Sequence, residues 1–212
     1  MALIPESFPQ EPEAAIASFA FTDIAEGTGV QVFFGISSEN FTSTVDYHLV
    51  GNSDVTSSQS SSSGAATSTT TIDFDTGTFN LPRTVRGTAS FSAGMGVLNA
   101  TMHLAAQVKK VAADNTVINL TSKQSGQIFT NAGTDSEMVF IPLPITATGS
   151  NAIIKKGEFL RLTVGLHQNT GGVNETELGH DPKNNDGELG AIKPGTKNTT
   201  VLRLLMPFEI KL

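Results

Sequence analysis

Cysteine is absent from the 212-residue sequence, which excludes disulfides, thiolate nucleophiles and thiolate metal sites. Tryptophan is absent too and tyrosine occurs once, whereas phenylalanine occurs 13 times. The aromatic side chains are therefore mostly apolar packing groups. Because carbohydrate sites usually present Trp and Tyr platforms, this composition argues mildly against a sugar-binding protein.

Basic residues are missing from the first 82 positions, which hold ten acidic residues; the first base is Arg83. The remainder holds 13 bases and ten acids, so it carries +3 within a total net charge of −7. An acidic first part can dock on a basic partner or on a neighbouring copy, or serve as ordinary solubilising charge. Basic doublets occur only at Lys109-Lys110 and Lys155-Lys156, so we expect no nucleic-acid partner.

A targeting pattern is also lacking, because the opening MALIPESFPQEPEAA has no basic region and no long apolar run. The sequence has no apolar stretch of about 18 residues, the length that crosses a bilayer. We therefore expect no membrane partner, and we expect the protein to be assembled in a cytoplasm.

Residues 1–15 are predicted to form an extended N-terminal arm. Three prolines lie between Pro5 and Pro12 and disfavour helix, whereas Leu3, Ile4 and Phe8 are apolar. Such an arm can wrap onto a neighbour, and we expect those three apolar side chains to make the contact. A disordered terminus is the alternative.

Residues 16–212 are predicted to form a single β domain. Apolar and small residues alternate in Ile16–Ile24, with Phe19 and Phe21 on one face, and apolar residues recur at every second position in Leu98–Val108 and Leu202–Leu212. Pro142 and Pro144 interrupt Met138–Thr146, which is typical of an edge strand. The segment Ser53–Thr71 has 13 Ser or Thr among 19 residues and is predicted to be a loop or a loosely held edge.

These features predict an all-β fold, a jelly-roll or Greek-key β-sandwich with an extended N-terminal arm. The final strand is expected to pair with a partner near the start of the chain. A helix over Leu104–Ala113 is the competing interpretation, because that segment is rich in Ala and Lys, but its period-two match is better.

One polar loop, GHDPKNNDGELG at Gly179–Gly190, looks most like a site. It fails as an EF-hand, because the first and twelfth ligand positions would be Pro182 and Lys193. A looser calcium site from Asp181, Asp186 and Glu188 remains open. The favoured interpretation is a solvated connection between strands.

Other chemistry-bearing residues are scattered. His48, His103, His167 and His180 lack zinc-site spacing, although His167 and His180 could meet in space. The sequence has no G-x-S-x-G elbow, and its two short G-x-G stretches lack phosphate-loop spacing. Asp73 and Asp75 share one strand face, as a glycosidase pair could, but are expected to face water. We therefore predict no catalytic residue, no cofactor and no metal site.

Three stretches resemble small virion structural proteins of tailed bacteriophages: FTDIAEGTGVQVFFG, IIKKGEFLRLTVGLH, and HDPKNNDG followed by TTVLRLLMPFEIKL. The resemblance covers about a third of the chain and consists of structural turns and strand edges. It implies a jelly roll, a particle-borne role and a trimer, and it carries over no catalytic residues.

With this resemblance, the sequence predicts a virion structural protein that is not an enzyme. The leading form is a capsid decoration or cement protein that trimerises and stabilises the phage head, with Leu3, Ile4 and Phe8 binding the major capsid protein or the adjacent protomer. The alternative is a collar, tail or fibre component that binds a host-surface glycan. A β-sandwich glycan hydrolase is the third possibility.

Overall fold

The computed structural model describes residues 28–37, 47–51, 59–62, 69–130, 132, 134–171, 176–180 and 202–209. Within these ranges the chain forms strands and a single 3-10 helix at Gly149–Ala152. The strands are β1 (Thr28–Ser37), β2 (Tyr47–Val50), β3 (Gln59–Ser62), β4 (Thr69–Asp75), β5 (Arg83–Thr84), β6 (Thr88–Leu98), β7 (Thr101–Val111), β8 (Val117–Asn119), β9 (Gln124–Ser125), β10 (Phe129–Thr130), β11 (Thr134–Pro144), β12 (Ile153–Ile154), β13 (Phe159–Thr170), β14 (Thr176–His180) and β15 (Leu202–Glu209).

The strands form one long curled sheet in the order β10-β7-β13-β4-β2-β1-β15-β6-β14-β3, and β11 pairs with the free side of β6. Strands β5 and β12 form a separate small ladder. The pairing between β2 and β4 is parallel, and the other described pairs are antiparallel. We call β4, β13 and β7 the first half-sheet, and β1, β15, β6 and β11 the second half-sheet.

The core lies between the two half-sheets, where the period-two pattern of the sequence brings the apolar faces together. On β13, Leu160, Leu162, Val164 and Leu166 are fully buried, and they belong to the same hydrophobic cluster as Phe91 of β6. The C-terminal strand β15 lies inside the sheet between β1 and β6. The predictions of an all-β sandwich and of a last strand paired near the chain start are therefore confirmed.

Three local expectations can be compared with the structure. The segment Leu104–Ala113 is strand as far as Val111 and not helix. The Ser/Thr-rich stretch contributes β3, which pairs with β14 at an edge of the sheet. Among the described strands, β11 pairs with β6 alone, so it is the edge strand that its prolines indicated.

The predicted arm, residues 1–15, lies outside the described residues, as do its anchors Leu3, Ile4 and Phe8. The arm therefore stays a prediction. Within the described ranges, no helix has the length and hydropathy that a bilayer crossing requires.

A buried ion pair closes one end of the core. The ammonium Nζ of Lys110 donates to the carbonyl oxygens of Ile153 at 2.6 Å and Ser150 at 3.1 Å, and lies 3.4 Å from Oε2 of Glu158. The same carboxylate oxygen accepts from the Lys155 backbone N–H at 2.8 Å. The last turn before β13 is thus fixed to β7 by one buried charge pair.

Close packing at Gly35 gives a first testable prediction. A Cβ at this position would lie 2.6 Å from Cδ2 of Leu202 and 3.1 Å from the Phe74 ring. We expect Gly35→Ala to lower the free energy of unfolding by about 1–3 kcal/mol, because the core has no room for a methyl group. Urea denaturation followed by circular dichroism measures the change, with Gly77→Ala as control because a Cβ there meets nothing within 4 Å. Equal losses in the two variants would contradict the close packing.

Candidate functional site

The outward surfaces of the two half-sheets differ in chemistry. Antiparallel sheets commonly turn a polar face to water, and the first half-sheet follows that rule. The second half-sheet turns apolar side chains outward. This second surface is the candidate functional site.

Strand register brings the apolar side chains into adjacent rows on the second half-sheet. One row across β1, β15, β6 and β11 consists of Val32, Leu205, Ser90 and Pro142. The next row, two residues further along each strand, consists of Phe34, Arg203, Ser92 and Phe140. The inward neighbours of these residues fill the core. We define the apolar face as the outward apolar side chains of β1, β15 and β11: Val30, Val32, Phe34, Leu205, Met138, Phe140 and Pro142.

Exposure is largest on β11. The side chains of Phe140 and Met138 are 66% and 50% exposed, whereas the alternating Val139 and Ile141 are 3% and 1% exposed. The β1 residues and Leu205 are half-buried. A contiguous patch of this kind on a monomer usually marks a contact surface, whereas single exposed apolar residues carry no such meaning.

The centre of the apolar face carries small side chains of β6. The half-buried Ser90 and Ser92 of β6 lie between larger apolar side chains on β11 and on β15 with β1. The charged residue in this central region is Arg203, whose guanidinium carbon lies 5.8 Å from the centroid of the Phe34 ring.

The polar face of the first half-sheet holds its carboxylates in ion pairs. The guanidinium of Arg161 binds Asp75 through two hydrogen bonds, of 2.7 and 2.6 Å, and lies 3.4 Å from Asp73. Thr163 donates to Asp73 at 2.6 Å. The hydrogen bond to Asp75 raises the pKa of Arg161 above its usual value. Both carboxylates thus serve the β4–β13 pairing.

Two histidines stack at the other end of the polar face. The rings of His103 and His167 are 4.7 Å apart and 4° from parallel. Nδ1 of His167 lies 2.8 Å from the Thr69 hydroxyl, and its Nε2 lies 3.2 Å from Nζ of Lys123. Since an ammonium only donates, Nε2 accepts, and the neutral ring carries its proton on Nδ1 and donates it to Thr69. Gly165 makes room for this ring, because a Cβ there would lie 2.9 Å from Nε2.

Burial, followed by the Lys123 charge, lowers the pKa of both His103 and His167 below 6.5. Protonating His167 would also replace its hydrogen bond from Lys123 by a contact between two cations. A lowered pKa means that the folded state favours the neutral ring. The stabilisation is therefore complete above the unfolded pKa of 6.5 and is lost as the pH falls toward the lowered values.

This pair gives a pH-dependent prediction. We expect the Tm of the protein to fall more between about pH 7 and pH 5 than the Tm of a His103→Gln/His167→Gln double variant, because the variant has no ring to protonate there. Differential scanning calorimetry at both pH values measures the two slopes. Parallel slopes would show that the pair does not contribute to acid sensitivity.

The sequence-based pairing of His167 with His180 is wrong. His167 stacks on His103, and His180 is buried against Tyr47 and Phe74, at 5.5 and 6.0 Å between ring centroids. In the loop GHDPKNNDGELG, only Gly179 and His180 are described, both within β14; Asp181, Asp186 and Glu188 lie outside the described residues. Among the described residues, no group of three or more His, Asp or Glu side chains is placed to hold a metal ion.

Sequence reasoning missed the apolar face, although a signal for it was present. In VQVFFG of β1 and MVFIPLP of β11, apolar residues follow one another on both faces of the strand. Apolar residues on both faces of a strand indicate that another layer covers each face.

No protein-family model matches the chain, and no curated protein sequence matches it. Among solved structures, the chain is similar to a CocE/NonD family hydrolase from Staphylococcus aureus, with a TM-score of 0.52 at 12% identity over 86% of this chain and 37% of that chain. The chain thus spans 37% of the hydrolase's length.

Two further similarities are weaker. One is to a structure of infectious bursal disease virus, Gx strain, with a TM-score of 0.33 at 11% identity over 86% of this chain and 37% of that chain. The other is to a structure from work on carbohydrate-binding modules of the β-sandwich superfamily, with a TM-score of 0.30 at 13% identity over 77% of this chain and 59% of that chain. Scores this low carry no argument about function.

The hydrolase comparison contradicts the prediction that the chain is not an enzyme. That prediction rested on the absence of familiar local motifs, whereas the fold of this chain also forms part of a hydrolase chain. The absence of a motif therefore does not separate this fold from enzymes. At 12% identity the likeness shows the fold alone and identifies no catalytic residue.

Proposed function

We propose that the protein is a structural component of a virion, a capsid decoration or cement protein of a bacteriophage head that assembles as a trimer and contacts the major capsid protein. The observation that carries this proposal is the apolar face, with Phe140 66% exposed beside the half-exposed Met138. A self-contained sandwich needs no apolar side chains outside its core. A sandwich domain that assembles uses such exposed apolar side chains to bury surface against neighbouring subunits.

The proposed mechanism is addition of buried interface at the joints between shell subunits. Each Å² of apolar surface removed from water contributes about 25 cal/mol, so even small contacts matter when they are repeated. Many symmetric copies on one particle raise the effective affinity without any new type of contact. A rigid, well-paired sandwich suits this task, because few groups must be ordered on binding.

Labelling of particles tests the proposal. An antibody raised against the chain is applied to purified virions of the virus that encodes it, and the particles are imaged in negative stain. We expect label at regular positions on the head. Label on the collar, tail or fibres would favour the glycan-binding alternative, and the absence of label from all parts of the particle would contradict a virion role.

A further inference from the structure

We propose that Lys123, His103 and His167 form a binding site for a divalent oxyanion, a sulfate or phosphate group. The site lies on the polar face of the first half-sheet, where the two histidine rings are stacked. It is separate from the apolar face, so the inference goes beyond the proposed function and does not depend on it.

The ammonium of Lys123 supplies the charge of the site. Among the described residues, the ion pairs involve Lys110 and Arg161, and no carboxylate lies within 4.0 Å of Lys123. Its Nζ instead lies 3.2 Å from Nε2 of His167. An ammonium has three donors, so this contact uses one of them and leaves two for a ligand. The described part of the chain thus holds this cation against an imidazole without neutralising it.

The ring of His103 supplies a further donor. Its Nδ1 lies 3.4 Å from Nδ2 of Asn169. Since the amide nitrogen donates, Nδ1 accepts, and the neutral ring carries its proton on Nε2. His167 contacts both other members of the site, with its ring against His103 and its Nε2 against Lys123. The donors of Lys123 and His103 therefore border one small surface, as a single oxyanion requires.

The described strands around the site bring no acidic side chain next to it. The neighbours in register are uncharged: Thr69 and Thr71 on β4, Thr101 and Ala105 on β7, Gly165 and Asn169 on β13, Ser125 on β9 and Thr130 on β10. The nearest carboxylate along β4 is that of Asp73, opposite Thr163 and about 13 Å along the strands from His167. Arg161 lies 3.4 Å from that carboxylate. An anion is therefore attracted by Lys123 and meets no described carboxylate in register beside it.

Protonation of the two rings strengthens the site. Burial, followed by the Lys123 charge, lowers the pKa of His103 and of His167, and the His103 ring lowers the pKa of His167 further. A bound dianion acts in the opposite direction, because it stabilises each imidazolium. Binding therefore takes up protons, and by linkage the affinity rises as the pH falls toward the lowered pKa values. Sulfate is the suitable probe, because its own charge does not change in this pH range.

Titration of the full chain with sodium sulfate at constant ionic strength tests the site. Proton–nitrogen correlation spectra follow the histidine rings at about pH 7.5 and about pH 6.0, on either side of the ordinary histidine pKa. His48 and His180 serve as internal references. We expect saturable shifts of the His103 and His167 resonances, with about tenfold or greater affinity at the lower pH, because hydrogen bonds to charged groups are the stronger ones. Glycerol phosphate in place of sulfate shows whether the site takes the end group of a monoester or the free anion alone.

Two lysine variants separate a site from general charge attraction. Lys123→Gln should lower the affinity for sulfate about tenfold or more, because it removes the permanent cation. Lys109→Gln removes a cation from the same face of β7, six residues from His103, and should leave the affinity unchanged. Circular dichroism checks that both variants are folded. Shifts that do not saturate, an affinity that is the same at both pH values, or equal effects of the two variants would each overturn the proposal.

Discussion

Lys110→Met is expected to lower the free energy of unfolding by about 3–5 kcal/mol. The substitution leaves the Glu158 carboxylate buried without its cation, and it leaves the carbonyls of Ser150 and Ile153 without their donor. Breaking a buried pair on one side costs far more than an exposed pair contributes, since the remaining charge is not solvated. Urea unfolding followed by far-ultraviolet circular dichroism measures the loss.

The neighbouring Lys109 provides a matched control. It lies on the same strand but points to the polar face, where it is half-exposed, so Lys109→Met should change stability by less than about 0.5 kcal/mol. Removing both charges in Lys110→Met/Glu158→Gln should recover part of the loss. If Lys110→Met and Lys109→Met unfold at the same urea concentration, the pair does not fix the turn to β7.

Phe140→Lys is expected to weaken self-association by about 2–4 kcal/mol, which is about 30- to 1,000-fold in the dissociation constant. The change replaces a large, exposed apolar side chain on the β11 side of the apolar face by an ammonium that the assembled state would have to desolvate. Stability of the single chain should hardly change, because the side chain points away from the core. Sedimentation velocity over a concentration series measures the association.

Leu81→Lys is the control for this prediction. Leu81 is 69% exposed, much like Phe140, but it lies in the loop between β4 and β5, outside the apolar face. We expect Leu81→Lys to associate like the wild type. Equal weakening by both substitutions would indicate that added charge, and not the apolar face, controls association.

The sequence predicts the individual strands better than it predicts which residues contact each other between strands. The alternation in Leu202–Leu212 predicted both the strand and its inward face, and the structure places that strand between β1 and β6. Asp73 and Asp75 were expected on one face, but their partner Arg161 becomes visible only through the β4–β13 register. Register depends on pairing between residues 86 or more positions apart, which local periodicity does not encode.

The histidine pair shows the same limit. His167 and His180 are close in sequence, which suggested that their side chains are close in space, but in the structure each ring packs against other residues. His103 and His167 meet because β7 and β13 are paired with these two residues opposite each other. The sequence shows a glycine at position 165, but the reason for it, the lack of space for a Cβ beside the His167 ring, follows only from the structure.

Sedimentation equilibrium of the unmodified chain tests the central claim, that the apolar face joins copies of this protein. The account predicts a mass well above that of one 22.2 kDa chain, and three times that mass for the proposed trimer. A mass of one chain at all concentrations up to about 100 μM, far above a Kd typical of specific assemblies, would contradict it.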